Sequence, residues 1–186
     1  ATTRRTRTKT NVIMTYKYEH LVRNINDYPK EGIIFKDITP LLQDKRAFQE
    51  IIEEMASVAE ELNANYIAGI DARGFIFGGA LAQRIKSGFI PIRKPGKLPA
   101  ETYQQTYELE YGTDTLEIHA DAASPGDRVL VIDDLLATGG TAEAAIKLIR
   151  QTGAEAVGLC VLIELEFLKG KEKLHGIPLH SLLKNP

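Results

Sequence analysis

The spacing of apolar residues changes along the chain, and each change marks an element. Phe48, Ile51, Ile52, Met55, Ala59 and Leu62 fall at relative positions 0, 3, 4, 7, 11 and 14. That is one face of an amphipathic helix, and Asp44 is a candidate N-cap for it. Phe75–Lys86 has a helical composition. Ala142, Ala145, Ile146 and Ile149 repeat the helical spacing, and Gly153 suits a C-terminal cap. Between these patterns lie short unbroken apolar runs: Tyr66–Ile70, Phe89–Ile92, Arg128–Ile132 and Ala156–Ile163. Such runs are expected of strands covered on both faces, as in a parallel sheet.

The remaining stretches are less regular. Tyr18–Ile25 predicts a first helix, ending before Tyr28-Pro29. Ile33-Ile34-Phe35 is a short apolar run, and Asp37–Pro40 is loop-like. Arg93–Ala100 combines two prolines, a glycine and the basic residues Arg93, Lys94 and Lys97, which predicts a mobile loop. Tyr107–Tyr111 and Thr115–His119 alternate apolar and polar residues and predict antiparallel strands; Pro125-Gly126 is a turn. The tail Ile177–Leu183 is short and apolar. Strand alternating with helix gives an α/β fold, a parallel twisted sheet with helices on both faces. Residues 14–186 read as one domain. A small hood over the sheet edge is expected from about 18–40, with the tail as a further candidate.

Composition narrows the class. The 186 residues are 44% hydrophobic and 26% charged, so a folded core is expected. A formal net charge of -2 gives no support for nucleic-acid binding. Cys160 is the only cysteine, which excludes an internal disulfide and points to a reducing cytoplasm. It lies in an apolar run and reads as a buried, inert thiol. No apolar stretch approaches the roughly 20 residues needed to cross a bilayer. Residues 1–13 are basic, threonine-rich and without period. They read as a leader or frayed tail, with Met14 as the natural start.

The chemistry concentrates in Val129–Thr141, where an apolar run leads into Asp133-Asp134 and then Leu135-Leu-Ala-Thr-Gly-Gly-Thr141. Adjacent carboxylates can grip the hydroxyls of a sugar. A loop of small and hydroxyl residues opening a helix can hold a phosphate. Open α/β sheets bind ligands beyond the carboxyl ends of their strands, and loops 71–74, 93–100 and 133–141 leave such ends. Competing nucleotide motifs are missing: the sequence has no Gly-x-Gly and no Gly-x-x-x-x-Gly-Lys-Ser/Thr. His20, His119, His175 and His180 lack metal-site spacing and read as structural.

The Asp133–Thr141 loop resembles the phosphoribosyl-pyrophosphate motif of type I phosphoribosyltransferases, in the variant of their adenine-using branch. Gly32–Pro40, Asp71–Phe75, Arg93–Pro99 and Leu109–Gly112 are similar to further blocks of that family, in the same order. The resemblance implies transfer of phosphoribose from its pyrophosphate (PRPP) to adenine, giving AMP and pyrophosphate.

It also implies roles. Asp133 and Asp134 would hold the ribose hydroxyls, and Ala137, Thr138, Gly139, Gly140 and Thr141 the 5-phosphate. Ala72, Arg73, Arg93, Lys94 and Lys97 would face pyrophosphate, with Arg93 a candidate to reach a neighbouring subunit's site. Phe35 and Leu135 would sandwich the base, and backbone groups at Ile34 and Lys36 would read its edge. Glu110 would take the proton from N7, and Tyr111 would shape a lid over about 94–112. Mg²⁺, held mainly by substrate and not by a protein cage, and a homodimer follow from the same resemblance.

Overall fold

The computed structural model describes residues 18–109 and 111–186. The expected leader, Met14 and Glu110 lie outside the described residues. The chain forms two compact units, one ending at Ala47 and the other spanning Phe48–Pro186.

In the first unit, a 3-10 turn at Tyr18–Leu21 leads into β1 (Arg23–Asn26), which pairs antiparallel with β2 (Ile34–Asp37). The helix expected over 18–25 is therefore a turn and a strand. An eight-residue helix is too short to be stable alone. Arg-Asn-Ile-Asn instead finds a strand partner, with Ile25 opposite Phe35. Arg23 reaches Asp37 at 2.6 Å, and Lys36 Nζ donates to Asn24 Oδ1 at 2.9 Å. The segment expected as a loop at 37–40 instead starts α1 (Thr39–Gln43). Pro40 is tolerated there because the first helical N–H groups have no partner in any case.

α2 (Lys45–Glu61) begins where the spacing placed it: Asp44 Oδ1 accepts the N–H groups of Arg46 and Ala47 at 3.0 and 2.8 Å. Its apolar stripe, with Ile51, Met55 and Ala59, is buried.

The second unit is built on five parallel strands: β3 (Tyr66–Ile70), β4 (Gly88–Ile92), β7 (Arg128–Leu136), β8 (Glu155–Leu165) and β9 (Leu179–Asn185), in spatial order β4-β3-β7-β8-β9. β7 and β8 are central, so both faces are covered; that is why Val129–Ile132 and Ala156–Ile163 are continuously apolar and buried. α3 (Arg73–Ile85) links β3 to β4, and α4 (Gly140–Gln151) links β7 to β8. These crossovers step in opposite directions along the sheet. Right-handed connections therefore place the two helices on opposite faces. Gly153 adopts φ 91° and closes α4, its N–H on Arg150 O at 3.0 Å. The apolar tail is the sheet's fifth strand, β9, rather than part of a hood.

Between β4 and β7, β5 (Thr102–Glu108) and β6 (Thr113–His119) form an antiparallel hairpin. Much of the stretch expected as a lid loop is thus regular strand. Its inner residues Leu116 and Ile118 are fully buried. Arg93 and Glu117 exchange backbone hydrogen bonds at 3.0 and 2.7 Å, which ties the hairpin to the end of β4.

Candidate active site

The strand order reverses between β3 and β7, since β3 leads outward to β4 and β7 leads the other way to β8. Their carboxyl ends splay into a crevice, the usual ligand position in such sheets. A cavity of about 220 Å³ opens there. Ile70, Asp71, Ala72 and Arg73 line it from the β3 side, and Asp133, Asp134 and Thr141 from the β7 side. Lys94, Tyr107 and Leu116 complete it. Larger hollows of about 550 and 610 Å³ lie elsewhere, around Asn63 and Arg84 and around Arg128 and Gly153. They are not at the crevice and do not gather the motif residues, so chemistry and not size selects the site.

Asp133 and Asp134 lie within β7, which continues to Leu136. β3 pairs with β7 only as far as Ile132, so beyond that point the aspartates have strand β8 on one side and the crevice on the other. Alternation aims their side chains differently. Asp134 is buried and forms an ion pair with Arg73, Oδ2 to Nε 2.9 Å. Asp133 Oδ1 accepts the Asp134 N–H at 2.8 Å. Removal from water first, and the Asp134 charge second, push the Asp133 carboxyl well above the ordinary carboxylate range; Arg73 opposes the shift.

Two helices begin at this crevice, α3 at Arg73 and α4 at Gly140, and neither has a side-chain cap. The first N–H groups of α4 face no capping side chain and can serve an anion. Gly139 is the N-cap of α4 at φ 86°, a conformation that favours glycine. Thr141 lies within α4 and lines the cavity. Behind the loop runs the turn at Gly170: a Cβ on Gly139 would lie 2.4 Å from Gly170 O.

The cations expected at pyrophosphate gather here, each beside an aspartate. Arg73 meets Asp134. Arg93 Nε and Lys97 Nζ reach Asp71 Oδ2 at 3.0 and 3.5 Å. Lys94 Nζ contacts Asp114 Oδ2 and lies 3.4 Å from the Tyr107 hydroxyl. Arg93 also stacks over the Phe75 ring at 5.6 Å. The Asp71 carboxyl is held below its ordinary value: burial opposes the shift, but hydrogen bonding from Arg93 and the nearby charges outweigh it.

A crevice with an adjacent acidic pair, two helix N-termini and a set of arginines and lysines suits a pyrophosphorylated sugar. The sequence of residues 38–176 matches the phosphoribosyl transferase domain family. An adenine phosphoribosyltransferase of Halothermothrix orenii is 58% identical, over 88% of this chain and 96% of its own. The chain belongs to the adenine phosphoribosyltransferase family. That of Thermobifida fusca is 53% identical, over 88% of this chain and 93% of its own. The crystal structure of the Thermoanaerobacter pseudethanolicus adenine phosphoribosyltransferase superposes with a TM-score of 0.87 at 52% identity, covering 90% of this chain and 97% of that one. The Saccharomyces cerevisiae enzyme, solved with an imino-altritol bisphosphate and adenine, gives 0.85 at 40% identity, covering 89% and 96%. As an adenine phosphoribosyltransferase, the chain transfers phosphoribose from PRPP to adenine, giving AMP and pyrophosphate.

Within this phosphoribosyltransferase, Ala72, Arg73, Lys94, Asp133, Asp134 and Thr141 meet at one cavity. Arg93 and Lys97 join through Asp71, and Arg93 is engaged inside its own chain. Ala137 and Thr138 form the loop before Gly139. Leu135 sits on β7, half-buried, opposite Ile163. Ile34, Phe35 and Lys36 form β2 of the first unit, where the Tyr28 ring stands edge-on to Phe35 at 5.2 Å. Tyr111 is at the hairpin turn and 81% exposed. Asp71, Tyr107, Asp114 and Gly170 were not among the expected site residues. Tyr107 and Asp114 become visible only once the hairpin pairs them, and Gly170 only through its approach to the 137–141 loop.

Proposed function

We propose the following division of labour for the family reaction. Asp133 and Asp134 accept the ribose hydroxyls and face the anomeric carbon as positive charge grows on it. Carboxylates fixed beneath a developing cation lower the barrier without reorganising. The Ala137–Thr141 loop takes the 5-phosphate on the N–H groups of α4. Ala72, Arg73, Arg93, Lys94 and Lys97 hold the pyrophosphate, whose departure they favour by neutralising its charge. The single observation that carries this reading is the convergence of the Asp133-Asp134 pair, the open α4 N-terminus and Arg73 on one crevice.

Phe35 and Leu135 sandwich adenine, and backbone groups of Ile34 and Lys36 read its amino and ring-nitrogen edge. An oxo-purine reverses part of that donor pattern and would leave buried groups unpaired, which is costly. Glu110 accepts the N7 proton as N9 attacks the sugar. The 94–112 hairpin region, with Tyr111 at its turn, covers the reacting groups against water.

Mg²⁺ fits this donor set. No cluster of three or more His, Cys, Asp or Glu able to cage a metal is found among the described residues. A hard cation that keeps its waters and binds chiefly through phosphates needs only one or two carboxylates, which Asp133 and Asp134 can supply. When bound, it neutralises pyrophosphate charge. A homodimer is part of the proposal. The reducing cytoplasm is the proposed compartment; no helix among the described residues is long and apolar enough to cross a membrane.

The test is a base-exchange assay with PRPP, Mg²⁺ and adenine, hypoxanthine, xanthine or orotate in turn. AMP from adenine, with little product from the others, is expected. Absence of AMP would sink the reading.

A further inference from the structure

We infer that Asp114 is a counter-carboxylate that shares Lys94 with pyrophosphate, and so sets how tightly pyrophosphate is held. The inference rests on the reading of Lys94 as a pyrophosphate ligand.

Lys94 lies just beyond β4 and lines the cavity with Asp71, Arg73 and Thr141. Asp114 does not line it; it stands behind the lysine, on β6, directly opposite Tyr107 of β5. Asp114 Oδ2 takes the Lys94 ammonium, and the Tyr107 hydroxyl lies 3.4 Å from both groups. The other carboxylate oxygen accepts the Thr115 N–H at 2.8 Å, which fixes the carboxylate in place. An ammonium has three donors. Asp114 and Tyr107 occupy up to two, and the third is available to the cavity.

The charge balance gives this arrangement its consequence. Arg73, Arg93, Lys97 and Lys94 each stand beside an aspartate. A polyanion entering the cavity therefore competes with carboxylates for every one of these cations. Asp134 and Asp71 line the cavity and act within it. Asp114 lies outside it, so its influence on a bound anion runs through Lys94. The hairpin has its own backbone ladder, its Arg93–Glu117 bridge and its buried Leu116 and Ile118, so its fold does not depend on the ion pair. The side chains of Lys94 and Asp114 are 39% and 32% exposed. A pair in that setting alters a binding constant by only about two- to five-fold, weak enough for pyrophosphate to win the lysine and for the carboxylate to take it back.

The experiment is calorimetric titration of magnesium pyrophosphate into the full chain, its Asp114→Asn and Lys94→Met variants, and the double variant. Asparagine keeps an acceptor for the Thr115 N–H but gives up the charge. Asp114→Asn is expected to bind pyrophosphate about two- to five-fold more tightly. Product inhibition by pyrophosphate should strengthen by the same factor. Lys94→Met should bind it more weakly, and adding Asp114→Asn to Lys94→Met should change nothing further. Asp114→Ser, which removes the charge with a smaller polar side chain, should shift affinity in the same sense as Asp114→Asn. It decides the question should Asp114→Asn fail to fold. Unchanged or weaker binding in the decisive variant overturns the inference, as does tightening that persists without Lys94. If Lys94→Met binds pyrophosphate as well as the parent, the assignment of Lys94 fails first, and the inference with it.

Discussion

Gly139 and Gly170 are 31 residues apart in the chain and meet backbone to backbone behind the 137–141 loop. A Cβ on Gly139 would lie 2.4 Å from Gly170 O, and one on Gly170 would lie 2.4 Å from Ala137 O. Neither position has room for a methyl group, because the obstructing atoms are main chain. The loop and the turn at 170 are therefore one packed unit. Gly170→Ala should push Ala137–Gly139 toward the crevice. Overpacking of this kind costs about 1–3 kcal/mol, and AMP affinity should fall along with the melting temperature. Thermal denaturation and AMP titration check this; an unaltered AMP affinity would show that the turn does not support the loop.

Arg73 and Asp134 form the ion pair inside the crevice, with side chains 37% and 10% exposed. Asp134→Asn keeps the shape and a hydrogen-bond acceptor for Arg73 but removes the charge facing the sugar. A buried charge aimed at a developing cation acts more on the transition state than on the ground state. The variant should lose about 10²-fold in kcat, with a smaller change in KM for PRPP. Steady-state kinetics decide it, and a loss confined to KM would assign Asp134 to binding alone.

The central sheet was legible because parallel strands buried on both sides leave an unmistakable apolar run, as Val129–Ile132 and Ala156–Ile163 do. The α2 stripe and its Asp44 cap were legible for the same reason: period and cap chemistry are local. Arg23–Ile25 reads as helix in the sequence because a four-residue strand is decided by its partner, 14 residues away at Asp37. The tail reads only as a candidate for the hood because the strand it joins, β8, is already apolar and leaves no trace of its neighbour. At the site, the Asp133–Thr141 loop carried its chemistry in contiguous residues. Asp114 and Gly170 did not: an aspartate near a hairpin turn and a glycine between lysines acquire meaning only from what the fold brings against them.

Cys160 is fully buried in β8, and burial, aided by the Glu54 charge, pushes its thiol up to about 12. The thiolate is the reactive form, so the native protein should resist alkylation at pH 8. Iodoacetamide labelling followed by mass measurement should find no adduct on the folded chain and one in denaturant, with no loss of activity in the folded sample. Rapid labelling under native conditions would mean that β8 opens readily.

The Asp133 carboxyl is raised, not lowered, and that fixes the sign of a pH effect. A carboxyl whose folded pKa exceeds its unfolded value binds its proton more tightly when folded. Its contribution is intact below the ordinary range of an aspartate and is lost as pH rises through the raised folded value. Above that window the free enzyme carries a desolvated charge beside Asp134. Asp133→Asn removes this cost while keeping the side chain's size. It should be more stable than the parent near neutral pH, with the difference shrinking toward pH 4. Urea unfolding of both proteins across that range measures it. The same variant should lose turnover, since the ionised form is what a cationic ribose needs. A stability difference that stays flat with pH would show that burial at the crevice does not hold the proton on Asp133.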